Sequence, residues 1–387
     1  MIRATRLLEQ RFRFFGAEDN RDGAVATDAR RSWSERRTLL LALEDAEGRL
    51  GTGEAAPLPD YSPDTLDDAW NALAPLVGKP LGSGELGASG SSRELLRVTS
   101  AIASPSARFA LESAILDLWS QRTGEPAWAL LARIFAELSG SSTAPTSTSG
   151  ELTVAALLSG SAEQALRQAE AAAARGIGCF KVKIGAPSAW PAELATLGAL
   201  RQRFPDARLR VDANQSLSLS ELGERLPALR ELALEWLEEP VPRYPDGIEA
   251  PLGVPVALDE SLQTAPPDPM AARDSGVAAY VLKPTTLGGF VRSFELAQSA
   301  RSAGLGVATS HAYEGPVGFS AIAALSLALG PGRPPDGLDH HPGVADTPVF
   351  PAFDAARGRI RTWSEPGFGL PLPKLLETRE ILRELRG

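Results

Sequence analysis

The sequence predicts a (β/α)8-type barrel with a smaller α+β domain on its N-terminal side. Three observations lead there. The 387 residues are too many for one small domain and suit a domain of ~250 residues plus a smaller one. From Leu152 onward, short apolar runs centred on Val154, Val182, Val211, Leu237, Leu258, Leu282, Val307 and Leu338 recur over roughly 190 residues. Between most of them lie helical patterns, two opened by Ser161-x-x-Gln164 and Ser218-x-x-Glu221, the spacing of a capping box. Strand, helix, strand at this pitch implies parallel βα units, with an open doubly wound sheet as the second reading.

The region before the runs is organised differently. Residues 38–43 and those from Leu50 read as two strands around the turn 44–48. Residues 16–31 are polar, contain glycine and show no periodicity, so a loop is expected there. Helical spacing follows over 64–76, then a Gly/Ser connector over 81–92. A helix over 106–121 offers Phe109, Ala110, Ala114, Ile115 and Leu118 for burial, and a low-complexity patch covers 139–150. The expected division is an α+β domain over 1–105, the barrel over 106–345, and a segment over 346–387 that packs back toward the first domain.

Hydrophobic residues make up 43% and charged residues 22%, as in ordinary folded proteins. The net charge of −9 argues against a nucleic-acid partner. The first residues contain no continuous apolar stretch, and no run approaches the ~20 residues of a membrane span. With a single cysteine, Cys179, the cytoplasm is the expected compartment. One cysteine also excludes an internal disulfide, a Cys-rich zinc site and an iron–sulfur cluster. The three histidines, His311, His340 and His341, form no H-E-x-x-H motif. Proton transfer and metal binding must rest mainly on Asp, Glu and Lys.

Such residues close the apolar runs. Lys181 and Lys183 stand in CFKVKIG, Asp212 in LRVDANQ, Glu238 in LEWLEEPV, Asp259 in VALDES and Lys283 in AYVLKPTTLGG. In a barrel the C-terminal ends of all strands open onto one face, where active sites lie. A lone strand-end carboxylate is usually a loop cap or ion-pair partner, and a lone lysine there is usually solvated. Six charges at the same strand end, in the order Lys, Lys, Asp, Glu, Asp, Lys, point instead to one site. Three hard oxygen ligands suit Mg2+, with Mn2+ as a possible substitute, and leave positions for a substrate carboxylate. The metal would stabilise the enediolate formed when the adjacent carbon loses its proton. A lysine base must be neutral part of the time, and neighbouring ammonium groups and Mg2+ both favour that form. The expected partner is a small-molecule carboxylate and the chemistry is proton abstraction α to it.

These residues resemble the enolase superfamily. The segment GEAAPLPDYS at 53–62 resembles part of that family's capping domain, and the K-x-K, D-A-N, E-E-P, D-E-S and K-P elements resemble its muconate lactonizing enzyme subgroup. The lack of a histidine base near the expected strands separates the chain from the mandelate racemase subgroup. Within the subgroup, LRVDAN, WLEEP, ALDESL, LKPT and GLD are most similar to the o-succinylbenzoate synthases.

The resemblance implies an enolase-like, modified TIM barrel with an N-terminal α+β capping domain. It implies Asp212, Glu238 and Asp259 as Mg2+ ligands, Lys183 as general base, Lys181 as its electrostatic support, and Lys283 as a cation–π stabiliser of the intermediate. Glu239 and Glu260 would stand behind the ligands. Asn214 and Arg210 flank the first ligand, where each could order it or serve as a barrel-interior partner. Ser310, His311 and Glu314 follow the seventh run, where the family binds substrate, although SHAYEGPVG departs from its usual serine-rich loop.

The implied activity is that of a hydro-lyase of menaquinone biosynthesis. It is the syn dehydration of 2-succinyl-6-hydroxy-2,4-cyclohexadiene-1-carboxylate to o-succinylbenzoate, with the base returning its proton to the departing hydroxyl. Lysines on opposite faces would also suit an N-succinylamino acid racemase. Dipeptide epimerases usually carry Asp-x-Asp on the eighth strand, where this chain has Asp339-His340-His341. A muconate cycloisomerase and a non-catalytic barrel protein are the remaining alternatives.

Overall fold

The computed structural model describes residues 2–13, 26–27, 32–81, 91–140, 151–186, 188–246, 248, 250–339, 353–354, 357–368 and 380–387. Most of the expected loop 16–31, connector 81–92 and low-complexity patch 139–150 lies outside those residues, as do His340 and His341.

Strands β1 (Arg3–Arg13), β2 (Glu35–Glu44) and β3 (Leu50–Ala55) form an antiparallel sheet. The C-terminal strand Glu380–Arg386 adds to it on the outer side of β1. The β2–β3 turn is held by the Asp45 carboxylate, which accepts from the Glu47 and Arg49 amides at 3.0 and 2.9 Å. Helices α1 (Leu66–Leu73), α2 (Ser92–Thr99) and α3 (Pro105–Thr123) pack with this sheet. Ser104 caps α3, Pro105 opens it, and Gly124 ends it in the left-handed region.

Helix α3 lies so close on β3 that a Cβ on Gly53 would collide with the Ala110 carbonyl. A Gly53→Ala variant is therefore expected to lose more than ~2 kcal/mol of stability in denaturant unfolding. An unchanged midpoint would contradict the close approach.

After α4 (Ala127–Leu138) come β4 (Ala156–Leu158), α5 (Ala162–Ala174), β5 (Cys179–Lys183), α6 (Trp190–Arg203), β6 (Arg208–Asp212) and α7 (Leu219–Glu231). Then follow β7 (Trp236–Glu238), β8 (Val256–Leu258), α8 (Pro269–Asp274), β9 (Val277–Leu282), α9 (Pro284–Leu287), α10 (Phe290–Ser302), β10 (Gly306–Thr309) and α11 (Pro316–Ala328). Strands β4 to β10 pair in sequence order, all parallel. Both expected capping boxes form, at Ser161/Gln164 and Ser218/Glu221.

The eighth run is shorter than expected. Asp336 bridges to Val154 and Gly337 to Ser310, both in parallel sense, so residues 336–338 join the two ends of the sheet. The Asp336 side chain is spent on this closure, accepting from the Thr309 amide at 2.7 Å and from Arg333 at 2.9 Å. Among the described residues no helix separates β7 from β8. That step, 21 residues from Leu237 to Leu258, is the shortest in the sequence.

Glu112 of α3 is buried and accepts the Phe290 and Val291 amides at the start of α10. Burial pushes its carboxyl up to about 7, against those amides, the Arg108 charge and the Thr99 hydroxyl. The folded protein thus holds this proton more tightly than the unfolded chain does. Stability from this group is fully present at pH below the ordinary carboxyl value of 4.5 and falls as pH rises through about 7. The loss at higher pH should reach about 3 kcal/mol. Denaturant unfolding across that range should show the slope in the wild type and not in Glu112→Gln.

No helix among the described residues is long and apolar enough to cross a membrane.

Candidate active site

Alternation along each barrel strand sorts its side chains into interior and exterior sets. Register sets Lys183 level with Asp212 and Asp212 level with Glu238, side by side at the C-terminal mouth. One layer deeper, Lys181 is level with Arg210 and Arg210 with Trp236. Trp236 packs with Ala257, Ala279, Val281 and Ala308, an apolar floor for the charges above. Asp259 and Lys283 follow directly on the ends of β8 and β9.

The three carboxylates, Asp212, Glu238 and Asp259, are each only 1% exposed. Such burial demands positive partners. Lys181 supplies one by leaning upward, with Nζ 2.8 Å from both Asp212 Oδ2 and Glu238 Oε1. Lys283 supplies the other: its Nζ pairs with Asp259 Oδ2 and lies 2.5 Å from the Tyr61 hydroxyl. Tyr61 itself donates to Asp259 Oδ2 at 2.9 Å, and its ring lies under the ammonium at 4.6 Å.

The charges interlock. Burial raises the Asp212 carboxyl, but Lys181, Lys183 and Lys283 outweigh it and hold it at about 2. Glu238 is pushed up to about 7 by burial and by Asp212 and Asp259, with Lys181 opposing. Burial disfavours the Lys181 ammonium, yet Asp212, Glu238 and Asp259 raise it above its ordinary value. Lys283 is likewise raised by Asp259 and Glu260 against its burial.

Glu239 and Asn214 stand behind these residues. Glu239 accepts from the Asp259 and Ser261 amides at 2.6 and 2.8 Å, and from Gln215 at 2.9 Å, which fixes Asp259. Asn214 donates its backbone N–H to Asp212 Oδ1 at 2.9 Å and its amide to Glu260 Oε1 at 3.0 Å. Asn214, Gln215 and Glu239 all have left-handed backbones, with φ of 42°, 60° and 42°. Three such residues just past β6 and β7 mark strain concentrated at a site.

Arg210 takes the second of its two expected roles, and Glu314 lies away from the mouth. Arg210 turns down toward the barrel floor, where Nε donates to Glu235 at 2.6 Å, Nη1 donates to the Pro335 carbonyl at 2.7 Å, and the guanidinium stacks on Trp236 at 3.7 Å. It is the barrel-interior partner, not an orienter of Asp212. Glu314 is fully buried and accepts from Thr285 Oγ1 at 2.6 Å and the Ala312 amide at 2.7 Å, so it shapes its loop and does not face the mouth.

Ser310 stays at the strand end, donating to the Gly337 carbonyl at 3.3 Å. A histidine does stand by the strands: His311 feels the charges of Lys283, Lys181 and Lys183. Burial and those charges hold its imidazole down at about 3, so it is no base at working pH.

Three residues that touch or brace the strand-end cluster and the segment after β10 escaped the sequence reading of the site. Tyr61 was visible only inside the 53–62 motif, 198 residues from its partner Asp259. Arg36, 1% exposed, donates to the Ala56 and Pro57 carbonyls at 2.6 and 2.9 Å and to those of Tyr313 and Ala312 at 3.1 and 3.3 Å. Glu54 accepts the Gly315 and Gly318 amides at 3.0 and 2.8 Å, capping α11 from the N-terminal sheet. No local pattern announces such long-range partners.

The donor set suits a hard divalent cation. Among the described residues no three Asp, Glu, His or Cys side chains are drawn into a ready ligand cluster; the two ammonium groups lie between the carboxylates instead. Three buried acids on successive strands and the partnerless, buried Glu260 Oε2 nonetheless leave a demand for positive charge there.

Residues 164–374 match the family described as Enolase C-terminal domain-like. The chain belongs to the enolase superfamily. As an enzyme of that superfamily it is 31% identical over 282 residues to the N-succinylamino acid racemase of Thermus thermophilus, covering 70% of each chain. It is 30% identical over 307 residues to the o-succinylbenzoate synthase of Edwardsiella ictaluri, covering 78% of this chain and 81% of that one. In structure it resembles the muconate lactonizing enzyme of Pseudomonas fluorescens with a TM-score of 0.80 at 22% identity, covering 98% and 99% of the two chains. The dipeptide epimerase of Enterococcus faecalis gives 0.76 at 19% identity, covering 95% and 99%. At such identities these two likenesses speak for the fold alone.

Proposed function

We propose that the protein is an Mg2+-dependent o-succinylbenzoate synthase, acting in menaquinone biosynthesis on 2-succinyl-6-hydroxy-2,4-cyclohexadiene-1-carboxylate. The observation that carries this reading is the row of three buried carboxylates flanked by strand-end lysines, one of which, Lys283, is pinned by Asp259 and Tyr61. Asp212, Glu238 and Asp259 would hold the metal. When bound, it supplies positive charge against the negative charge that builds on the substrate carboxylate.

In its neutral form Lys183 takes the proton from the carbon beside that carboxylate, and the C–H electron pair moves toward the carboxylate. The pair then returns to form the ring double bond as the C–O bond breaks. Lys183 gives its proton to the departing hydroxyl, which leaves as water. Lys181 keeps Asp212 and Glu238 in place, and Lys283 contributes a fixed positive charge. Such a reaction needs one mobile proton and one stationary cation, which fits a pinned Lys283.

An N-succinylamino acid racemase is the second reading, favoured by the Thermus thermophilus relative. It would require Lys283 to leave Asp259 and exchange protons. A dipeptide epimerase fits less well, because Arg175 holds Asp339 in a two-point ion pair at 2.9 and 2.8 Å. That carboxylate is committed to the barrel wall. The single buried cysteine fits the cytoplasm, where we place the enzyme.

The test is incubation with the cyclohexadiene substrate and Mg2+, following the ultraviolet change as the ring becomes aromatic. A rate no higher than in a chelator-treated sample would overturn the reading. Asp259→Asn should raise the Mg2+ concentration for half-maximal rate at least about tenfold, with an unchanged circular dichroism spectrum.

A further inference from the structure

The strand end that carries Lys183 is tied down from outside the barrel. Directly after Lys183 the chain turns through Ile184, Gly185 and Ala186. The Ile184 N–H donates to the Asp212 carbonyl at 2.8 Å, which extends the pairing of β5 with β6 one residue past Lys183. The next two amides leave the sheet. Both donate to a single oxygen, Oε1 of Glu193 on α6, Gly185 at 2.9 Å and Ala186 at 3.1 Å. Gly185 has φ of 99°, and a Cβ on it would lie 1.7 Å from Ser216 Oγ, so no side chain fits at this point of the turn.

Packing does little to hold the turn. Ile184 and Ala186 border a cavity of about 260 Å3 between the strand ends and α5 and α6, shared with Val182, Lys183, Glu193 and Thr196. With open space on that side, the turn keeps its place through its hydrogen bonds.

Glu193 is an unusual residue to find there. A carboxylate in the first turn of a helix normally faces solvent, yet this one is 9% exposed. Buried carboxylates need a positive partner. Arg225 of α7 faces it, 7% exposed and stacked on Trp190 at 5.0 Å, but its Nη1 stays 3.8 Å from Glu193 Oε2. Both atoms are buried without a hydrogen-bond partner. Burial accordingly pushes the Glu193 carboxyl above its ordinary value, with the two amides and Arg225 opposing. One oxygen is loosely placed, and the other serves only the turn behind Lys183.

We propose that Glu193 is a positioning residue for Lys183: by holding the Gly185 and Ala186 amides, it fixes the direction from which the lysine amine reaches the substrate carbon. It acts through the backbone and not by contact with the reacting atoms. The inference rests on the function proposed above, in which Lys183 is the base. Proton transfer is sensitive to such placement, since a shift of 1 Å can cost about 100-fold in rate.

Three substitutions separate reach from charge. Glu193→Gln keeps an acceptor oxygen at the same reach and should stay within about twofold of the wild-type kcat. Glu193→Asp keeps the charge but falls short of the amides, and Glu193→Ala removes both. Each should lower kcat for the cyclohexadiene substrate about 10–100-fold, with KM and the Mg2+ concentration for half-maximal rate unchanged. If the alanine variant does not fold, the Gln and Asp pair decides. A purely structural role is separated by placing Glu193→Asp in a Lys183→Ala background. An effect that passes through Lys183 should add less than about twofold there. A Glu193→Asp enzyme equal to the wild type overturns the proposal, as does a Gln variant as slow as Asp, a loss confined to KM, or the same loss with and without Lys183. A wild type that does not dehydrate the substrate, or a Lys183→Ala variant as fast as the wild type, would instead overturn the synthase reading or its base.

Discussion

Replacing Lys183 by alanine is expected to lower the dehydration rate about 10²–10⁴-fold while leaving thermal unfolding close to the wild type. Lys183 is half-buried at the mouth, level with Asp212 and away from the apolar floor. Its loss should be felt in chemistry before folding. Lys181→Ala should behave differently. It removes the ammonium shared by Asp212 and Glu238 at 2.8 Å each, leaving two buried carboxylates facing one another. That variant should lose stability as well as rate, and recover part of both when Mg2+ is added. Rate assays beside denaturation curves separate the two. A Lys183→Ala enzyme within tenfold of the wild type would remove Lys183 from the mechanism.

The second large effect is expected at Arg36. Arg36→Leu would leave the carbonyls of Ala56, Pro57, Ala312 and Tyr313 without their shared donor in a buried place. Several unsatisfied carbonyls and the lost guanidinium should together cost about 3–5 kcal/mol, read from denaturant unfolding. Because the side chain links residues 56–57 to 312–313, residual activity should fall further than global stability explains. Tyr313 would be released from its left-handed backbone, and with it the amide that fixes His311. Arg36→Lys should not rescue, since one ammonium cannot span carbonyls on both sides as the planar guanidinium does.

What could be read from the sequence and what could not divide along a physical line. The strand ends at Lys183, Asp212, Glu238 and Lys283 were legible because apolar runs and charges are local, periodic signals. The capping boxes at Ser161 and Ser218 were legible for the same reason. The eighth run was legible at Leu338, but nothing local reveals that it shrinks to two bridges, at Asp336 and Gly337, which suffice to close the ring. The two roles left open for Arg210 could not be separated, because adjacency to Asp212 in sequence says nothing about which end of the barrel a long side chain seeks; its contacts with Glu235 and Trp236 decide for the barrel interior. Glu314 looked available for the same reason, but its partners Thr285 and Arg36 lie on other elements. Tyr61 and Glu54 depend on how two sheets meet, which no window of sequence contains.

The strand Glu380–Arg386 imposes an order on synthesis. Strand β1 leaves the ribosome first, yet its outer neighbour is made only after every barrel strand. At the usual translation rates that delay is of order 20–70 s. Throughout it, β1 presents an open edge that other chains could pair with. The arginines at positions 3, 6 and 11 along that edge give a nascent chain charge repulsion against its copies. Two of them, Arg6 and Arg11, later find Glu384 and Glu380 at 2.7 Å. The same side chains thus act first as wardens of an unfinished sheet and afterwards as its fasteners.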